Sequence, residues 1–473
     1  MPKITVDGVE IEFAPGDKII NACDKAKATH IPRYCYHDGL SIVAQCRMCL
    51  VEVEGQKKLV TACSTPAADG MKILTKSDKV KKSVKGVQEF LLANHPLDCP
   101  ICDQAGECSL QDYSYNHGQE DSRYDFFRRT FIDVDMGPSI KKNMNRCIHC
   151  TRCIRYCDEV GQIHEMIAQN RGNSTEIITI DDKPLQTAYA GGLADVCPVG
   201  SLTTKDFRFK KRVWYLKQGE GVCDGCAQGC NITHSQDSNY VYRLEPRINM
   251  EVNKWWMCDE GRYGFHHVHS PSRVIGPTDL RTGQPKGVMW GEALPAVKEM
   301  MGGAKSVAFF VCADATLEEA ATLQKAFDKA EFFSYSPTVE TSAEDKPIDH
   351  LLRRADKSPN LKGLESLGFK PYKSFDPKKY DLVFFVSAGK VRPPYGLAKL
   401  AKKAVGLGVF LKEELLGYSF ILPGASTYEK RGTFVNWKGM KQSFQPSIPP
   451  VGMSRPVESL VAGLLEASKV RVG

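Results

Sequence analysis

The chain has 473 residues, of which 42% are hydrophobic and 25% charged, as in ordinary globular proteins. Its 63 basic and 56 acidic residues are interspersed and leave a net charge of +7, which argues against a dedicated nucleic-acid-binding protein. The longest apolar runs, including Val307–Cys312 and Leu382–Ser387, have strand length and are too short to span a membrane. The first residues enter a strand pattern at once, so we expect no signal peptide and membrane association only through partner subunits.

Cysteine is the most informative residue type. The chain has 18 cysteines, and all except Cys312 lie before residue 260. Without a secretion signal, this concentration favours metal ligation over disulfides. We predict the domains 1–80, 81–120, 121–215, 216–272 and 273–473, of which the first four each carry a cysteine motif.

Residues 1–80 predict a small β-rich domain. Strands at Ile4–Val6 and Val9–Phe13 flank Asp7-Gly8, a strong hairpin signal. A helix over Lys18–Ala28 follows, capped by Asp17. Further strands are predicted at Cys49–Glu54 and Lys58–Ala62. A hairpin, a helix and later strands indicate a β-grasp fold.

Four cysteines of this domain have the spacing C-x10-C-x2-C-x13-C, namely Cys35, Cys46, Cys49 and Cys63. Four thiolates on loops around a sheet suit a [2Fe–2S] rhomb with two thiolates per iron, although the spacing differs from the plant ferredoxin pattern. Zinc binding or free buried cysteines are the alternatives. Cys23 lies on the inner face of the predicted helix and is interpreted as a small core residue.

Segment 81–120 joins a helix to a mixed-ligand motif. The helix is predicted from apolar residues at helical spacing and ends near Asn94-His95-Pro96. The motif H-x3-C-x2-C-x5-C then contains His95, Cys99, Cys102 and Cys108. Three cysteines need a fourth ligand, and His95 is the nearest candidate. A zinc site with three cysteines and one histidine competes with an iron–sulfur cluster here.

The order of these motifs resembles the N-terminal part of the peripheral-arm iron–sulfur subunit (the G subunit) of respiratory complex I, NADH:quinone oxidoreductase. The small subunits of NAD-reducing hydrogenases and the N-terminus of iron-only hydrogenases share this order. In that family the run His-Pro-x-Asp-Cys binds a [4Fe–4S] cluster with one histidine ligand. The resemblance therefore implies that His95, Cys99, Cys102 and Cys108 form such a site.

Residues 121–215 contain the spacing C-x2-C-x2-C-x3-C at Cys147, Cys150, Cys153 and Cys157, followed later by Cys197-Pro198. Closely spaced thiolates can reach three corners of a cubane, and the fourth ligand is typically a distant Cys followed by Pro. A zinc ribbon is the alternative. Positive charge around this site would raise a cluster's potential, although an ordinary solvated basic face is equally consistent with Lys141, Lys142, Arg146, Arg152 and Arg155.

Two-cluster ferredoxins carry a second run of the same kind. Counting back from Cys197, its cysteines would fall at positions that hold Thr187, Ala190 and Leu193. We therefore predict one [4Fe–4S] site from Cys147, Cys150, Cys153 and Cys197, with Cys157 left over. The hydrogenase relatives keep both clusters, whereas the complex I protein keeps one.

Segment 216–272 contains a fourth set, Cys223, Cys226, Cys230 and Cys258, around a hairpin predicted at Ile232–Gln236 and Tyr240–Leu244. Zinc is the alternative from spacing alone. The run from Val252 to Tyr263 resembles the [4Fe–4S] domain that heads molybdopterin oxidoreductases. That resemblance implies a fourth cluster away from the main electron path, with a stabilising role.

Residues 273–473 alternate strand and helix patterns, which implies a mostly parallel sheet. Strands are predicted at Lys305–Cys312, Glu331–Ser336, Leu382–Ser387, Val409–Leu411 and Tyr418–Leu422. Helices are predicted from the capping box Thr316–Glu319 to about Ala330 and around Tyr395–Val405, with loops at Asp356–Asn360 and Asp376–Lys379. The run Leu422–Asn436 resembles the late part of molybdopterin oxidoreductase domains, here much shortened.

No molybdenum ligand or G-x-G-x-x-G fingerprint is visible, so we expect no molybdopterin, flavin or nicotinamide on this chain. Cys312, at the end of a strand, is interpreted as a core residue. The predicted fold is α+β and multidomain: a β-grasp [2Fe–2S] ferredoxin domain, a His/Cys cluster domain, a ferredoxin-like [4Fe–4S] domain, and a molybdopterin-oxidoreductase-like α/β region.

The resemblance implies an electron-transfer subunit of NADH:quinone oxidoreductase with one [2Fe–2S] and three [4Fe–4S] clusters and no catalytic site of its own. It implies partners that bind flavin and NADH and hydrophilic partners near the quinone, on the cytoplasmic side of a bacterial inner membrane. A diaphorase subunit of a soluble NAD-linked hydrogenase or formate dehydrogenase is the alternative function. A zinc-stabilised assembly scaffold is the non-enzymatic one.

Overall fold

The computed structural model describes residues 1–466. The chain divides between Tyr215 and Leu216 into two units, residues 1–215 and 216–473. Both units mix helices and strands, as the α+β class predicts. No helix among the described residues is long and apolar enough to cross a membrane. The finer division into five domains stays a prediction, and residues 467–473 of its last domain lie outside the described residues.

The elements of the first unit are β1 (Lys3–Val6), β2 (Val9–Glu12), α1 (Ile19–Lys25), β3 (Leu50–Val53), β4 (Val60–Thr61), β5 (Lys72–Leu74), α2 (Asp78–Ala93), α3 (Ser109–His117), β6 (Val134–Asp135), β7 (Ile140–Lys142), α4 (Arg152–Tyr156), β8 (Met166–Gln169), β9 (Glu176–Thr179), α5 (Gly192–Val196) and β10 (Leu202–Thr204).

The second unit contains β11 (Lys217–Val222), β12 (Asn231–Asp237), β13 (Tyr240–Pro246), α6 (Asp259–Arg262), β14 (Thr278–Asp279), β15 (Lys286–Gly287), α7 (Trp290–Gly302), β16 (Val307–Cys312), α8 (Leu317–Ala326), β17 (Glu331–Tyr335), α9 (Leu361–Ser366), β18 (Lys370–Pro371), β19 (Leu382–Ser387), β20 (Ala404–Gly408), β21 (Phe420–Pro423), β22 (Gly432–Val435), β23 (Lys441–Phe444) and α10 (Val457–Glu466).

The N-terminal sheet has the strand order β2-β1-β5-β3-β4, with β5 parallel to β1. Its first hairpin turns at Asp7 and Gly8, which both have positive φ, as the Asp-Gly signal predicts. The buried side chains of α1, including Cys23, pack in the core of this sheet. The helix is shorter than predicted, and Asp17 does not cap it. The Asp17 carboxylate instead accepts from the Ala14 N–H at 3.1 Å and pairs with Lys25 at 2.6 Å.

Helix α2 leads the chain from this sheet to the second cysteine motif. The Ser77 hydroxyl accepts from the Val80 N–H and caps the start of the helix. Its end at Ala93, just before Asn94 and Pro96, confirms the predicted stop. Val80 and Val84 are buried in a core shared with α3 and the third cysteine motif.

The second unit is built around an eight-stranded sheet of order β15-β14-β21-β20-β19-β16-β17-β18. From β21 to β18 the neighbouring strands are parallel, as the alternating pattern predicts. Phe309 and Phe384 stack with ring centroids 4.8 Å apart on adjacent strands. Cys312 is fully buried in a second core cluster of this sheet, which does not include these two rings. The predicted hairpin forms as β12 and β13, and the Thr316–Glu319 capping box begins α8.

The prediction of a helix around Tyr395–Val405 is wrong. Leu397–Leu400 forms a single 3₁₀ turn, and Ala404–Gly408 is the buried strand β20. A short apolar run can form either a helix or a strand. Here pairing with β19 and β21 makes it a strand. The strand predicted at Val409–Leu411 therefore lies earlier in the chain, at Ala404–Gly408.

Smaller differences concern element ends and one loop. Helix α8 ends at Ala326 instead of near Ala330. The strand predicted at Tyr418–Leu422 is β21, which begins at Phe420. The predicted loop at Asp376–Lys379 includes a 3₁₀ turn, Pro377–Lys379.

Candidate metal centres

The cysteines of the first set lie on loops around the N-terminal sheet. Cys49 directly precedes β3, Cys63 follows β4, and the Ala62 N–H donates to the Cys49 carbonyl at 2.9 Å. Cys35 and Cys46 face each other, since the backbone N–H of each lies 3.5 Å from the Sγ of the other. Ala44 and Arg47, on either side of Cys46, adopt positive φ of 50° and 57°. Such backbone is unfavourable for these residues, so the surrounding structure must hold the loop in place.

The thiols of this set are paired two by two. A hydrogen bond from the Cys35 thiol lowers the pKa of Cys46, and one from Cys63 lowers the pKa of Cys49. The pKa values of the donors Cys35 and Cys63 are raised. Two pairs of thiols suit a [2Fe–2S] rhomb, which takes two ligands on each iron.

The second set follows α2. Asp98 and Cys99 turn the chain back, because the Cys102 N–H donates to the Asp98 carbonyl at 2.7 Å. Cys102 and Cys108 are buried, whereas Cys99 is exposed. The Arg146 guanidinium, with its side chain 5% exposed, pairs with Asp98 at 2.9 Å.

His95 has the properties of a neutral ligand. Burial, and next the charge of Arg146, lowers the pKa of its imidazole to about 4. Its buried Nδ1 has no hydrogen-bond partner among the described residues. A neutral imidazole with an unpaired nitrogen can bind a metal. The chemistry of this donor set therefore fits a cluster with one histidine ligand.

The third set surrounds a single cavity. Its lining includes all four predicted ligands, Cys147, Cys150, Cys153 and Cys197. His149 and Thr151, which flank Cys150, adopt positive φ of 54° and 57°. The other lining residues are apolar or carry a hydroxyl, apart from the two cationic residues Lys142 and Arg152.

Burial raises the pKa of Cys147, Cys150 and Cys197 to about 11, and that of Cys153 further still. Four thiolates that line one cavity would repel one another unless a cation compensates them. Cationic iron supplies that compensation, so the donor set fits a cubane.

Cys157 does not line this cavity. It is fully buried at the end of α4, and burial raises the pKa of its thiol to about 12. The positions that would carry a second cluster hold Thr187, Ala190 and Leu193, and all three are buried. Packed side chains thus occupy that region.

The fourth set closes a loop between β11 and β12. The Cys223 N–H donates to the Cys230 carbonyl at 2.8 Å, and Cys258 lies at the start of α6. A Cβ placed on Gly261 would lie 2.8 Å from the Sγ of Cys223 and 3.7 Å from that of Cys258. Two predicted ligands that are distant in sequence therefore lie close to one glycine. All four cysteines are buried, and burial raises the pKa of each.

The loop of this fourth set is held by later parts of the chain. The Ala227 N–H donates to the Asp356 carbonyl at 3.0 Å, and the Trp437 N–H donates to the Ala227 carbonyl at 2.9 Å. The Gln442 amide donates to the Gly229 carbonyl at 2.8 Å. The C-terminal region thus fixes the backbone between Cys226 and Cys230.

Several supporting residues have no local sequence signal. Arg212 donates to the Cys102 carbonyl at 2.5 Å from a position 110 residues away. A Cβ on Gly200 would collide with the Sγ of Cys102, so that position needs glycine. Within residues 1–466, no three His, Cys, Asp or Glu side chains converge as the ligands of a single metal ion would. A cluster spreads its thiolates over separate iron atoms.

Three family models match the chain. Residues 2–78 match a 2Fe-2S iron-sulfur cluster binding domain. Residues 85–123 match the NADH-ubiquinone oxidoreductase-G iron-sulfur binding region, and residues 137–203 match the ferredoxin-like domain of NADH-quinone oxidoreductase subunit 3. The three ranges contain the first three predicted ligand sets. The chain therefore carries ferredoxin-like iron–sulfur domains.

Curated relatives extend this similarity. The G subunit of NADH-quinone oxidoreductase from Rickettsia bellii is 41% identical over 305 residues, which are 64% of this chain and 44% of the relative. The NADH-ubiquinone oxidoreductase 75 kDa subunit of Reclinomonas americana is 42% identical over 293 residues, 62% of this chain and 42% of the relative. The matched region thus spans less than half the length of these relatives.

A solved NAD+-reducing [NiFe]-hydrogenase in the H2-reduced state is 29% identical, with a TM-score of 0.41, over 45% of this chain and 91% of the hydrogenase chain.

Proposed function

We propose that this chain is an electron-transfer subunit of an NADH:quinone oxidoreductase, as its similarity to the G and 75 kDa subunits of such enzymes suggests. In this proposal one [2Fe–2S] and three [4Fe–4S] clusters are held by the four ligand sets. When bound, the clusters supply one-electron redox chemistry. The chain itself contributes ligands, spacing and charge. A flavin-containing NADH-oxidising subunit would supply the electrons, and hydrophilic subunits near the quinone would receive them.

One observation carries the proposal. A single buried core contains Cys35 of the first set, Cys108 of the second and Cys150 of the third, with Cys46 and Cys197 packed against it. The Ser109 N–H, next to Cys108, donates to the Pro198 carbonyl, next to Cys197, at 3.1 Å. Ligands of three sites thus share one continuous packed interior, which is what a relay needs. An isolated structural zinc site needs no such proximity.

The C-terminal region has a separate role in this proposal. We assign it as a shortened molybdopterin-oxidoreductase-like domain without the cofactor. Its hydrogen bonds to the loop of the fourth set support a scaffold role for that site. The fourth cluster would accordingly stabilise the second unit.

Metal analysis of the anaerobically purified chain tests the proposal. We expect about 14 iron atoms per chain and EPR signals from both cluster types after reduction. A protein filled with zinc and poor in iron would refute it. Co-purification with flavin-binding and quinone-reducing subunits is expected, whereas co-purification with a nickel-containing hydrogenase subunit would support the diaphorase alternative.

A further inference from the structure

Two arginines of α4 reach from the third ligand set to the loop of the first. The Arg155 guanidinium donates to the Cys35 carbonyl at 2.6 Å and to the Cys150 carbonyl at 3.3 Å. It also donates to the Ser41 carbonyl. One side chain therefore hydrogen-bonds to ligand residues of two different proposed clusters. Its planar fork of donors suits this role better than an ammonium would.

Arg152, on the same helix, makes a parallel bridge. Its guanidinium donates to the Tyr36 carbonyl at 2.5 Å and to the Val196 carbonyl at 3.3 Å, which are the neighbours of Cys35 and Cys197. The side chain lines the cavity of the third set. Its charge therefore lies beside the backbone of both ligand sets.

Polar contacts around the bridge hold the same two segments together. The Gln45 amide donates to the His149 carbonyl at 3.0 Å. The Ser41 N–H donates to the Glu159 carboxylate at 2.9 Å, in an exposed position. Glu159 accepts from both the N–H and the hydroxyl of Ser41, and within residues 1–466 neither arginine pairs with a carboxylate. Both guanidinium charges therefore remain available to the ligand sets.

We propose that Arg152 and Arg155 form a two-arginine bridge that fixes the first site against the third and raises the reduction potentials of both clusters together. The inference rests on the proposed function, because it assigns clusters to these two sets. A cation close to two anionic clusters favours the reduced, more negative form of each. The arginines act through charge and backbone contacts and are positioning residues.

The test is an EPR redox titration of the full complex. Arg152→Met removes the charge, whereas Arg152→Lys keeps the charge and loses the planar arrangement of donors. We expect Arg152→Met to shift the redox equilibria of both clusters about tenfold towards oxidation, which is about 59 mV lower for each one-electron couple. Arg152→Lys should restore the wild-type midpoints. The control is Arg123→Met, which should leave both midpoints unchanged. The side chain of Arg123 is 76% exposed and pairs with Glu89.

Arg155 is tested through the backbone it holds. Losing hydrogen bonds from a charged donor should speed local opening of the loop around Cys35 by about tenfold to a hundredfold. Hydrogen exchange of that loop should therefore accelerate in Arg155→Met, with both EPR signals retained. Unchanged exchange in this variant would overturn the clamping role.

The remaining outcomes separate the alternatives. A midpoint shift in only one cluster, in neither, or equally in Arg152→Met and Arg152→Lys would overturn the shared-charge role. If Arg152→Met loses the clusters, Arg152→Lys decides: wild-type midpoints support the bridge, and shifted or missing signals refute it. Failure of the proposed function would be visible earlier, as absent signals in the wild-type protein.

Discussion

Cys197 and Cys157 provide a matched pair of substitutions that tests how the third site is built. Cys197 lines the cavity together with the other three proposed ligands, whereas Cys157 does not. Cys157 is fully buried and Cys197 is partly buried, and burial raises the pKa of each thiol. Serine at either position is nearly isosteric but is a much poorer iron ligand. The pair therefore separates ligation from packing.

The expected effects differ in kind. Cys197→Ser should abolish or convert one [4Fe–4S] signal and lower the iron content by up to about four atoms per chain. Cys157→Ser should retain all the iron. Because Cys157 is 0% exposed, its serine variant buries a hydroxyl and should lose about 1–3 kcal/mol of stability. For a unit of this size, each kcal/mol lowers Tm by about 2–4 °C.

Low-temperature EPR of the reduced protein, iron analysis and thermal unfolding measure these effects. Cys157→Ala, which buries no hydroxyl, is the control for the stability loss and should cost less than Cys157→Ser. Equal loss of the cluster signal in Cys197→Ser and Cys157→Ser would show that the fourth ligand is wrongly assigned.

Three further predictions concern the second unit. Gly261→Ala should reduce iron binding at the fourth site, because a Cβ there would lie 2.8 Å from a ligand sulfur, whereas Gly287→Ala, with nothing within 4 Å, should bind iron as the wild type does. Iron analysis and EPR compare the two variants, and equal occupancy would contradict the expectation. Glu429→Gln should cost about 3–5 kcal/mol in denaturant unfolding, because it leaves the charge of Arg273 buried without its partner; a loss below about 1 kcal/mol would show that the pair is dispensable. Burial raises the pKa of Asp314 from 3.8 to about 6, so its contribution to stability is complete below pH 3.8 and is lost as the pH rises through 6. Asp314→Asn should therefore flatten the fall in unfolding free energy between these values, measured by urea titration at several pH values, and an unchanged slope would contradict this.

The C-terminal sheet shows where sequence patterns no longer predict secondary structure. Leu382–Ser387 was predicted correctly because a fully apolar run with β-branched and aromatic residues is typical of a central parallel strand. Ala404–Gly408 is just as buried, but its two glycines and small residues weaken the strand pattern. Its state depends on the neighbouring strands. Tertiary pairing, and not local propensity, makes it a strand.

Asp17 gives a similar lesson at shorter range. An aspartate before an apolar helix predicts an N-cap. In the structure its carboxylate is already engaged by the Ala14 N–H and by Lys25, and the helix begins two residues later. The predicted capping box of Thr316 does form, although the Glu319 carboxylate also pairs with Lys430 at 2.7 Å. The same kind of local signal therefore has different outcomes in different tertiary surroundings.

The sequence by itself predicts the four ligand sets, because the spacing of cysteines along a turning backbone limits which thiolates can reach one cluster. It also predicts one central site instead of two, since Thr187, Ala190 and Leu193 replace the cysteines that a second cluster would need. Only the tertiary structure decided how the sets are related. The shared core and the arginine bridge of α4 join residues more than 100 positions apart, as with Arg155 and the Cys35 carbonyl. Such contacts arise from packing, which leaves no periodicity in the chain.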